Sequence, residues 1–275
     1  MIYYLIIYFA IERDVENMKL KILGTQSPYN TEGHNCPGFF IQDGNNRILL
    51  DCGSGSHSLL NYPTDLQNLS VIISHLHRDH YNDIYNLQYS SFVFHNQKRI
   101  EMPINIYLPS TPNSIVDDIR EETNSYANFH LIGEDTVLSI GDINISFCKT
   151  DHPVETYAIR LDKRDKSIVY TSDTSYSAKD RLAEFAKDAD LLICESSLLK
   201  SYGFPEINSH LTAEQAAIIA RQANVKGLAL THFWPEEDVQ KYVKEAKKEF
   251  KNVIALNEGQ IIDIPVINKE ERAKD

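Results

Sequence analysis

Cysteine, positive charge and long apolar runs are all scarce in this sequence. The 4 cysteines in 275 residues have no CxxC spacing, which excludes a cysteine zinc knuckle and argues against a disulfide framework; they are Cys36, Cys52, Cys148 and Cys194. Lys plus Arg number 27 against 39 Asp plus Glu, a net charge of −12. Nucleic acid binding by bulk charge is therefore not expected, because phosphate neutralisation requires clustered cations. The cysteine usage predicts a reduced, cytoplasmic protein.

The chain begins with an apolar stretch that is too short to be a membrane anchor. Residues 1–11 are apolar, whereas a bilayer-spanning helix needs about 20 residues. The stretch also lacks the cationic start and cleavage site of a signal peptide, so no membrane association is expected. Residues 1–17 are predicted to be an N-terminal extension: a misassigned start, an added strand or an interface segment. We expect one domain over 18–266 and a frayed tail over 267–275.

The pattern from Met18 onward alternates short strands and helices, which is typical of an α/β fold. A strand is expected at 18–23, and a hairpin is predicted between Gly38 and Asp51, with residues 43–46 as its turn. Further strands are expected at 71–74, 104–108, 143–149, 156–161, 167–171, 190–194 and 226–230. Helices are expected near Ser58 and at 112–126, 178–187, 212–223 and 236–249.

Metal-competent side chains are concentrated in the segment Ser74-His-Leu-His-Arg-Asp-His80, which follows the apolar run 71–73. His75 and His77 are two residues apart, so an extended backbone points both side chains the same way. Asp79 and His80 begin a predicted helical turn that directs them toward a second ion. Histidine and carboxylate are usual zinc ligands, and two zinc ions would need this density of them.

Five predicted strands end at a side chain that can bind a metal or carry a proton. Open α/β sheets place their sites at the carboxyl ends of the strands. A single histidine in such a place is more often an ordinary core residue, but five agreeing strand ends indicate a site. The five residues are His75, His152, Asp173, Glu195 and His232.

These motifs together resemble the metallo-β-lactamase superfamily and, within it, the ribonuclease Z branch. The matching segments extend from Met18 to about Ile264 and include 23–25, 50–53, 74–80, 151–157, 171–174, Glu195, 210–216 and 230–233. The His-x-His-x-Asp-His motif is specific for the superfamily, and the His210-Leu-Thr-Ala-Glu segment is specific for its phosphodiesterase-like branch. The resemblance implies an αββα sandwich, in which two mixed β-sheets are flanked by helices.

The resemblance also implies a ligand set for two Zn²⁺ ions. His75, His77 and His152 would bind one ion, while Asp79, His80 and His232 would bind the other. Asp173 would bridge the two ions, and Asp79 would also be a catalytic proton acceptor. Mn²⁺ or Fe²⁺ would accept the same residues. Asp51 is either a partner of a ligand histidine or a strand-end residue that closes the turn at Gly53.

The expected activity is phosphodiester hydrolysis, in which a hydroxide held between the metals attacks phosphorus. Thr212 and Gln215 fit a capping box, which places His210 at a helix N-terminus that favours an anion. His210 would donate a proton to the leaving oxygen and Glu195 would orient it. One alternative is a lactone or carboxyl-ester hydrolase, which would not need His210; another is a non-catalytic metal-binding scaffold. His210 could also be an ordinary surface residue beside a helix cap.

Two departures from ribonuclease Z bear on the substrate. Members that process tRNA precursors carry a long arm between the third histidine motif and the bridging aspartate, whereas only 162–167 separate two strands here. Cys194 also stands where the branch usually has histidine. We therefore expect a small phosphodiester or a single-stranded RNA end rather than a tRNA precursor. A homodimer is implied by the resemblance alone.

Overall fold

The computed structural model describes residues 18–101, 103–123, 127–202 and 209–264. The predicted N-terminal extension (1–17), the predicted tail (267–275) and the predicted domain end at 266 lie outside the described residues. No described helix is both long and apolar enough to cross a membrane.

The first of two sheets has its strands in the order β14-β1-β2-β3-β4-β5-β6. These strands are β1 (Met18–Gly24), β2 (Gly38–Asp43), β3 (Asn46–Leu50), β4 (Leu69–Ile72), β5 (Ile104–Pro109), β6 (Ala127–Ile132) and β14 (Ile261–Ile264). Pairing is antiparallel from β14 to β3 and parallel from β3 to β6, so the sheet is mixed.

The second sheet repeats this arrangement in the order β13-β12-β11-β10-β9-β8-β7. Its strands are β7 (Leu138–Ile140), β8 (Ile143–Lys149), β9 (Tyr157–Lys163), β10 (Lys166–Tyr170), β11 (Leu191–Glu195), β12 (Gly227–Thr231) and β13 (Val253–Ala255). Strands β7 to β10 pair antiparallel and β10 to β13 pair parallel.

Helices cover the outer faces of both sheets. They are α1 (Arg78–Tyr81), α2 (Ile84–Asn96), α3 (Asn113–Thr123), α4 (Lys179–Phe185), α5 (Ala213–Gln222) and α6 (Val239–Ala246). Side chains of α2 and α3 pack on the first sheet, and those of α4, α5 and α6 pack on the second. Because both faces of each sheet are covered, several parallel strands, such as β11 and β12, are buried along their whole length.

The inner faces of the two sheets meet in one apolar layer. Leu20 and Phe39 of the first sheet and Ile159 and Ile168 of the second are fully buried in the same cluster. Burial of each such side chain contributes about 1.5–3 kcal/mol. The predicted αββα sandwich is therefore confirmed.

Most of the predicted elements are present, and the missed ones have weak sequence signals. The hairpin and the strands and helices predicted from 104 onward form within a few residues of the expected bounds. The segment near Ser58 is a 3₁₀ turn, Ser56–Leu59, rather than an α-helix. The missed elements are α2, β6, β7, β13 and β14. Polar residues interrupt the apolar face of α2, and β6 is an edge strand in which half of the residues are exposed.

The connection between β9 and β10 is a tight hairpin. Lys163 pairs with Lys166, which leaves only Arg164 and Asp165 in the turn. The prediction that this position carries no long arm is confirmed.

Gly53 is a point where the chain cannot carry a larger residue. A Cβ atom at Gly53 would lie 1.9 Å from the backbone oxygen of Asp79. We expect Gly53→Ala to lower the free energy of unfolding by about 3 kcal/mol or more, because backbone has to move to relieve the overlap. Gly133→Ala is the matched control, since its Cβ would meet nothing closer than 3.9 Å. Urea unfolding of both variants tests this prediction; equal stabilities would contradict it.

Candidate metal centre

Five histidines and two aspartates converge where the carboxyl ends of strands from both sheets meet. His75 follows β4, His152 follows β8, Asp173 follows β10 and His232 follows β12. His77, Asp79 and His80 lie in and just before α1. The ligand atoms form overlapping groups in which the atoms of each group lie within 4.8 Å of one another. The structure thus brings together all the predicted metal-site residues.

The first cluster consists of His75, His77 and His152, each contributing one ring nitrogen to a common centre. Nε2 of His75 lies 3.2 Å from Nδ1 of His77, and Nε2 of His152 lies 3.1 Å from the same atom. Zinc ligands about 2.0–2.1 Å from a tetrahedral ion are about 3.3–3.4 Å apart. Both distances are close to this value, and all three nitrogens lie within 4.8 Å of one another, so the cluster could hold one zinc-sized ion.

The second cluster consists of Asp79, His80 and His232. Nε2 of His80 lies 3.2 Å from Nε2 of His232, and Oδ2 of Asp79 is 3.6 Å from each of these nitrogens. Both histidines are buried. This donor set also fits one ion, with a carboxylate that offsets part of its charge.

Asp173 lies between the two clusters and presents one oxygen to each. Its Oδ2 is 3.5 Å from Nε2 of His75, and its Oδ1 is 3.1 Å from Nε2 of His232. Among the described residues, this buried Oδ1 has no donor in hydrogen-bond geometry. A buried carboxylate oxygen without a donor requires another partner, and a cation between the two clusters would satisfy it.

The pKa shifts of the histidines differ between the two clusters. Burial lowers the pKa of His75, His77 and His152, which favours the neutral imidazole that metals bind. Burial alone would raise the pKa of Asp173, but the imidazoles of His232, His80 and His75 hold it well below its usual range. Burial also opposes protonation of His80, yet the carboxylates of Asp173 and Asp79 raise its pKa well above the ordinary value. The carboxylates therefore attract positive charge to this cluster.

The outward nitrogens of three candidate ligand histidines are held by hydrogen bonds. Nδ1 of His152 lies 3.1 Å from the backbone oxygen of Ser209, and Nδ1 of His232 lies 2.6 Å from Oγ of Ser197. Nδ1 of His75 lies between the hydroxyl groups of Ser74 and Ser172. Such partners fix which nitrogen faces the metal.

Asp51 is the partner of His80. Its Oδ2 accepts from Nδ1 of His80 at 2.7 Å and from the hydroxyl group of Tyr170 at 2.8 Å, while its Oδ1 accepts from the backbone N–H of Ser74. The N–H of Gly53 bonds instead to the oxygen of Pro37. Of the two alternatives for Asp51, the contacts favour a partner of a ligand histidine.

Asp51→Asn should weaken binding of the ion in the second cluster by about 10–100-fold, the usual effect of losing such a partner. The amide of the variant has an NH₂ group in place of one carboxylate oxygen. This NH₂ group would face at least one of the hydrogen-bond donors that the carboxylate of Asp51 accepts from. Zinc affinity measured against a chelator tests this, with Asp65→Asn as the control because buried Asp65 bonds to the backbone of Asn61, away from the site. Unchanged affinity in Asp51→Asn would assign Asp51 a purely structural role.

His210 and Glu195 lie directly beside the clusters. The His210 ring centroid is 5.3 Å from that of His232 and 5.4 Å from that of His152. Its Nδ1 is 3.0 Å from Oε1 of buried Glu195. The predicted capping box of Thr212 and Gln215 is confirmed, which places His210 just before the N-terminus of α5.

Serine residues in the site were not predicted from the sequence. The hydroxyl group of Ser27 donates to Oδ2 of Asp79 at 2.5 Å, and Ser197 lies between His232 and Glu195. Ser197 stands two residues after Glu195, so an extended chain puts both side chains on one side. That spacing could have indicated Ser197, whereas Ser27 and Asp79 are 52 residues apart and no local pattern joins them.

The αββα fold and the convergent His/Asp cluster define a metallo-hydrolase. The model of the beta-lactamase superfamily domain matches residues 46–233, which is more than half of the chain. The chain therefore belongs to the beta-lactamase superfamily. The predicted relationship to this superfamily is confirmed, and divalent metal binding follows from it at the level of the family.

Similar proteins cover almost the whole length of the chain. The probable metallo-hydrolase YhfI of Bacillus subtilis is 31% identical over 241 residues, which cover 87% of this chain and 96% of that protein. Its crystal structure matches with a TM-score of 0.81 at 30% identity, over 89% of this chain and 98% of YhfI. Ribonuclease Z of Archaeoglobus fulgidus is 26% identical, over 90% of this chain and 97% of that protein. The short form of human tRNase Z shares the fold, with a TM-score of 0.69 at 19% identity over 90% of this chain and 100% of that one.

Proposed function

We propose that this protein is a phosphodiesterase that uses two divalent metal ions, most simply two zinc ions. The first cluster would hold one ion, the second cluster would hold the other, and Asp173 would contact both. Bound there, the ions would lower the pKa of a water molecule and offset charge on the oxygens of the substrate. The proposal is supported by the placement of His210. Hydrolysis of a carboxyl ester with the same ligands would not require a proton donor at this position.

His210 has the position and partner of a general acid. Burial opposes its protonation, but the Glu195 carboxylate raises the pKa of His210 above its ordinary value. The side chain remains 24% exposed, so it can reach a bound substrate. Because Nδ1 faces Glu195, Nε2 is the atom that can donate a proton to the leaving oxygen.

Asp79 has a second task beside metal binding in this proposal. The Ser27 hydroxyl fixes its carboxylate by donating to Oδ2, next to the second cluster. The facing His80 and His232 imidazoles lower the pKa of Asp79 although burial opposes this, which keeps it ionised. An ionised carboxylate at this place can accept a proton from the attacking water.

The substrate that we propose is a small phosphodiester or a single-stranded RNA end. The names of the similar ribonuclease Z and tRNase Z proteins indicate RNA substrates. The tight hairpin between β9 and β10 provides no long arm that could hold a large folded RNA. The net charge of −12 also disfavours binding of a large RNA by bulk charge. A tRNA precursor is thus a less suitable substrate for this chain. Homodimerisation and a cytoplasmic location remain predictions, and light scattering of the purified chain tests the first.

Hydrolysis of bis(p-nitrophenyl) phosphate by the zinc-loaded protein tests the proposed reaction. A p-nitrophenyl carboxyl ester and a lactone, assayed in parallel, distinguish the alternative chemistry. We expect metal-dependent turnover of the phosphodiester that a chelator removes. Turnover of only the ester or lactone, by protein that holds both ions, would replace the proposal with a carboxyl-ester or lactone hydrolase.

A further inference from the structure

We infer that Ser197 is a positioning residue that joins the second cluster to the Glu195–His210 pair through one directed hydrogen-bond chain. The contacts stand by themselves, and only the kinetic consequence rests on the proposed function. Ser197 binds no substrate or metal in this account. It acts by fixing the imidazole of His232 and the carboxylate of Glu195 relative to each other.

The side chain of Ser197 is at hydrogen-bond distance from both groups. Its Oγ lies 2.6 Å from Nδ1 of His232 and 2.8 Å from Oε2 of Glu195. The other oxygen of Glu195 is 3.0 Å from Nδ1 of His210. Ser197 is 7% exposed, so bulk water does not readily replace these contacts.

The direction of each hydrogen bond follows from the chemistry of the groups. Nε2 of His232 faces His80, Asp79 and Asp173 and must be free of a proton to bind a metal, so Nδ1 carries the proton and donates to Oγ of Ser197. As a carboxylate, Glu195 only accepts hydrogen bonds. The single hydroxyl hydrogen of Ser197 therefore points to Oε2 of Glu195.

Other donors hold Glu195 in this arrangement. The backbone N–H of Thr174 donates to Oε1 at 2.8 Å, and the backbone N–H of Leu211 donates to Oε2 at 3.2 Å. The carboxylate is therefore fixed while it accepts from Nδ1 of His210. Oγ of Ser197 also lies 3.4 Å from Nδ1 of His210, a longer distance than the 3.0 Å between Nδ1 and Oε1 of Glu195.

One hydroxyl group thereby couples the metal site to the candidate proton donor. If His232 took its other tautomer, Ser197 would have to donate to Nδ1 of His232, and Glu195 would lose that donor. If the hydroxyl group were removed, His232 would lose the acceptor that selects its metal-binding tautomer, and Glu195 would lose one of its contacts. A change at Ser197 should thus affect both ends of the chain.

The test compares Ser197→Ala with Ser197→Thr, which keeps a hydroxyl group, and with the control Ser196→Ala. Ser196 is an adjacent buried serine whose hydroxyl group donates to the backbone oxygen of Thr231 instead. Two readouts independent of turnover are the zinc affinity of the metal-depleted full chain and the ¹⁵N shifts of the His232 ring in the zinc-loaded chain.

Ser197→Ala should weaken zinc binding in the second cluster by about 10–100-fold and change the ¹⁵N shifts of His232. Ser197→Thr and Ser196→Ala should resemble the unmodified protein. Unchanged affinity and unchanged shifts in Ser197→Ala would overturn the inference, whatever the protein hydrolyses. The expected changes in a protein without phosphodiesterase activity would uphold the inference and reject the proposed function.

The kinetic consequence is measured in a double-mutant cycle. The substrate is an alkyl phosphodiester, whose leaving group needs a proton. The double variant Ser197→Ala/His210→Ala should reduce the rate by less than the product of the two single reductions, because loss of Ser197 already impairs proton donation by His210. Independent, multiplicative effects would show that Ser197 does not act through His210.

Discussion

Replacement of Asp173 by alanine is expected to abolish turnover and to reduce bound metal from two ions to at most one per chain. The reason is the position of its carboxylate, whose two oxygens face His75 of the first cluster and His232 of the second. Without it, six ligands with only one carboxylate would have to hold two cations close together. Metal content by mass spectrometry, together with hydrolysis of bis(p-nitrophenyl) phosphate, measures both effects.

Asp190→Asn provides a matched control for this prediction. Asp190 is also buried and lies just before β11, where it accepts from Ser167 and pairs with Lys226, away from the metal site. This variant should lose stability but retain both ions. Two tightly bound ions in Asp173→Ala would refute the bridging role.

Replacement of His210 by alanine is expected to leave both metals in place and to slow cleavage of alkyl phosphodiesters by about 10²–10⁴, the usual contribution of a proton donor. The loss should be much smaller for p-nitrophenyl esters, because p-nitrophenolate leaves without a proton. The measurement is kcat for a series of leaving groups at fixed zinc loading. The expected signature is a steeper dependence on leaving-group basicity in the variant.

His130→Ala is the control for a general effect of losing a histidine. His130 lies in β6 and stacks on Tyr107 of the neighbouring strand β5, with ring centroids 4.7 Å apart, and it belongs to neither cluster. It should leave the leaving-group dependence unchanged. An unchanged rate for alkyl esters in His210→Ala would remove His210 from the mechanism.

Much of the site could be predicted because its residues follow buried strands. The apolar runs that become β4, β8, β10 and β12 are easy to identify, and parallel strands bring their carboxyl ends together. The spacing of His75 and His77 also predicts that both side chains face one centre. The resemblance to a known family then assigned these residues to two ions.

The hydrogen-bond partners around the metal centre could not be predicted in the same way. Ser27, Ser172 and Ser197 act through a hydroxyl group, and serine is common at strand ends and turns for local reasons. Their contacts depend on packing between loops distant in sequence, as Ser27 with Asp79 illustrates. Short or exposed elements such as β6 and β13 were missed because tertiary pairing rather than local pattern stabilises them.

The central claim is that seven residues, located in α1 and in the loops that follow strands of both sheets, form one centre for two metal ions. Anomalous X-ray scattering from crystals of the zinc-loaded chain, recorded on both sides of the zinc absorption edge, tests it most directly. We predict two peaks about 3.5–4 Å apart, one at each cluster, with Asp173 between them. A single peak, or zinc bound away from His75 and His232, would contradict the account.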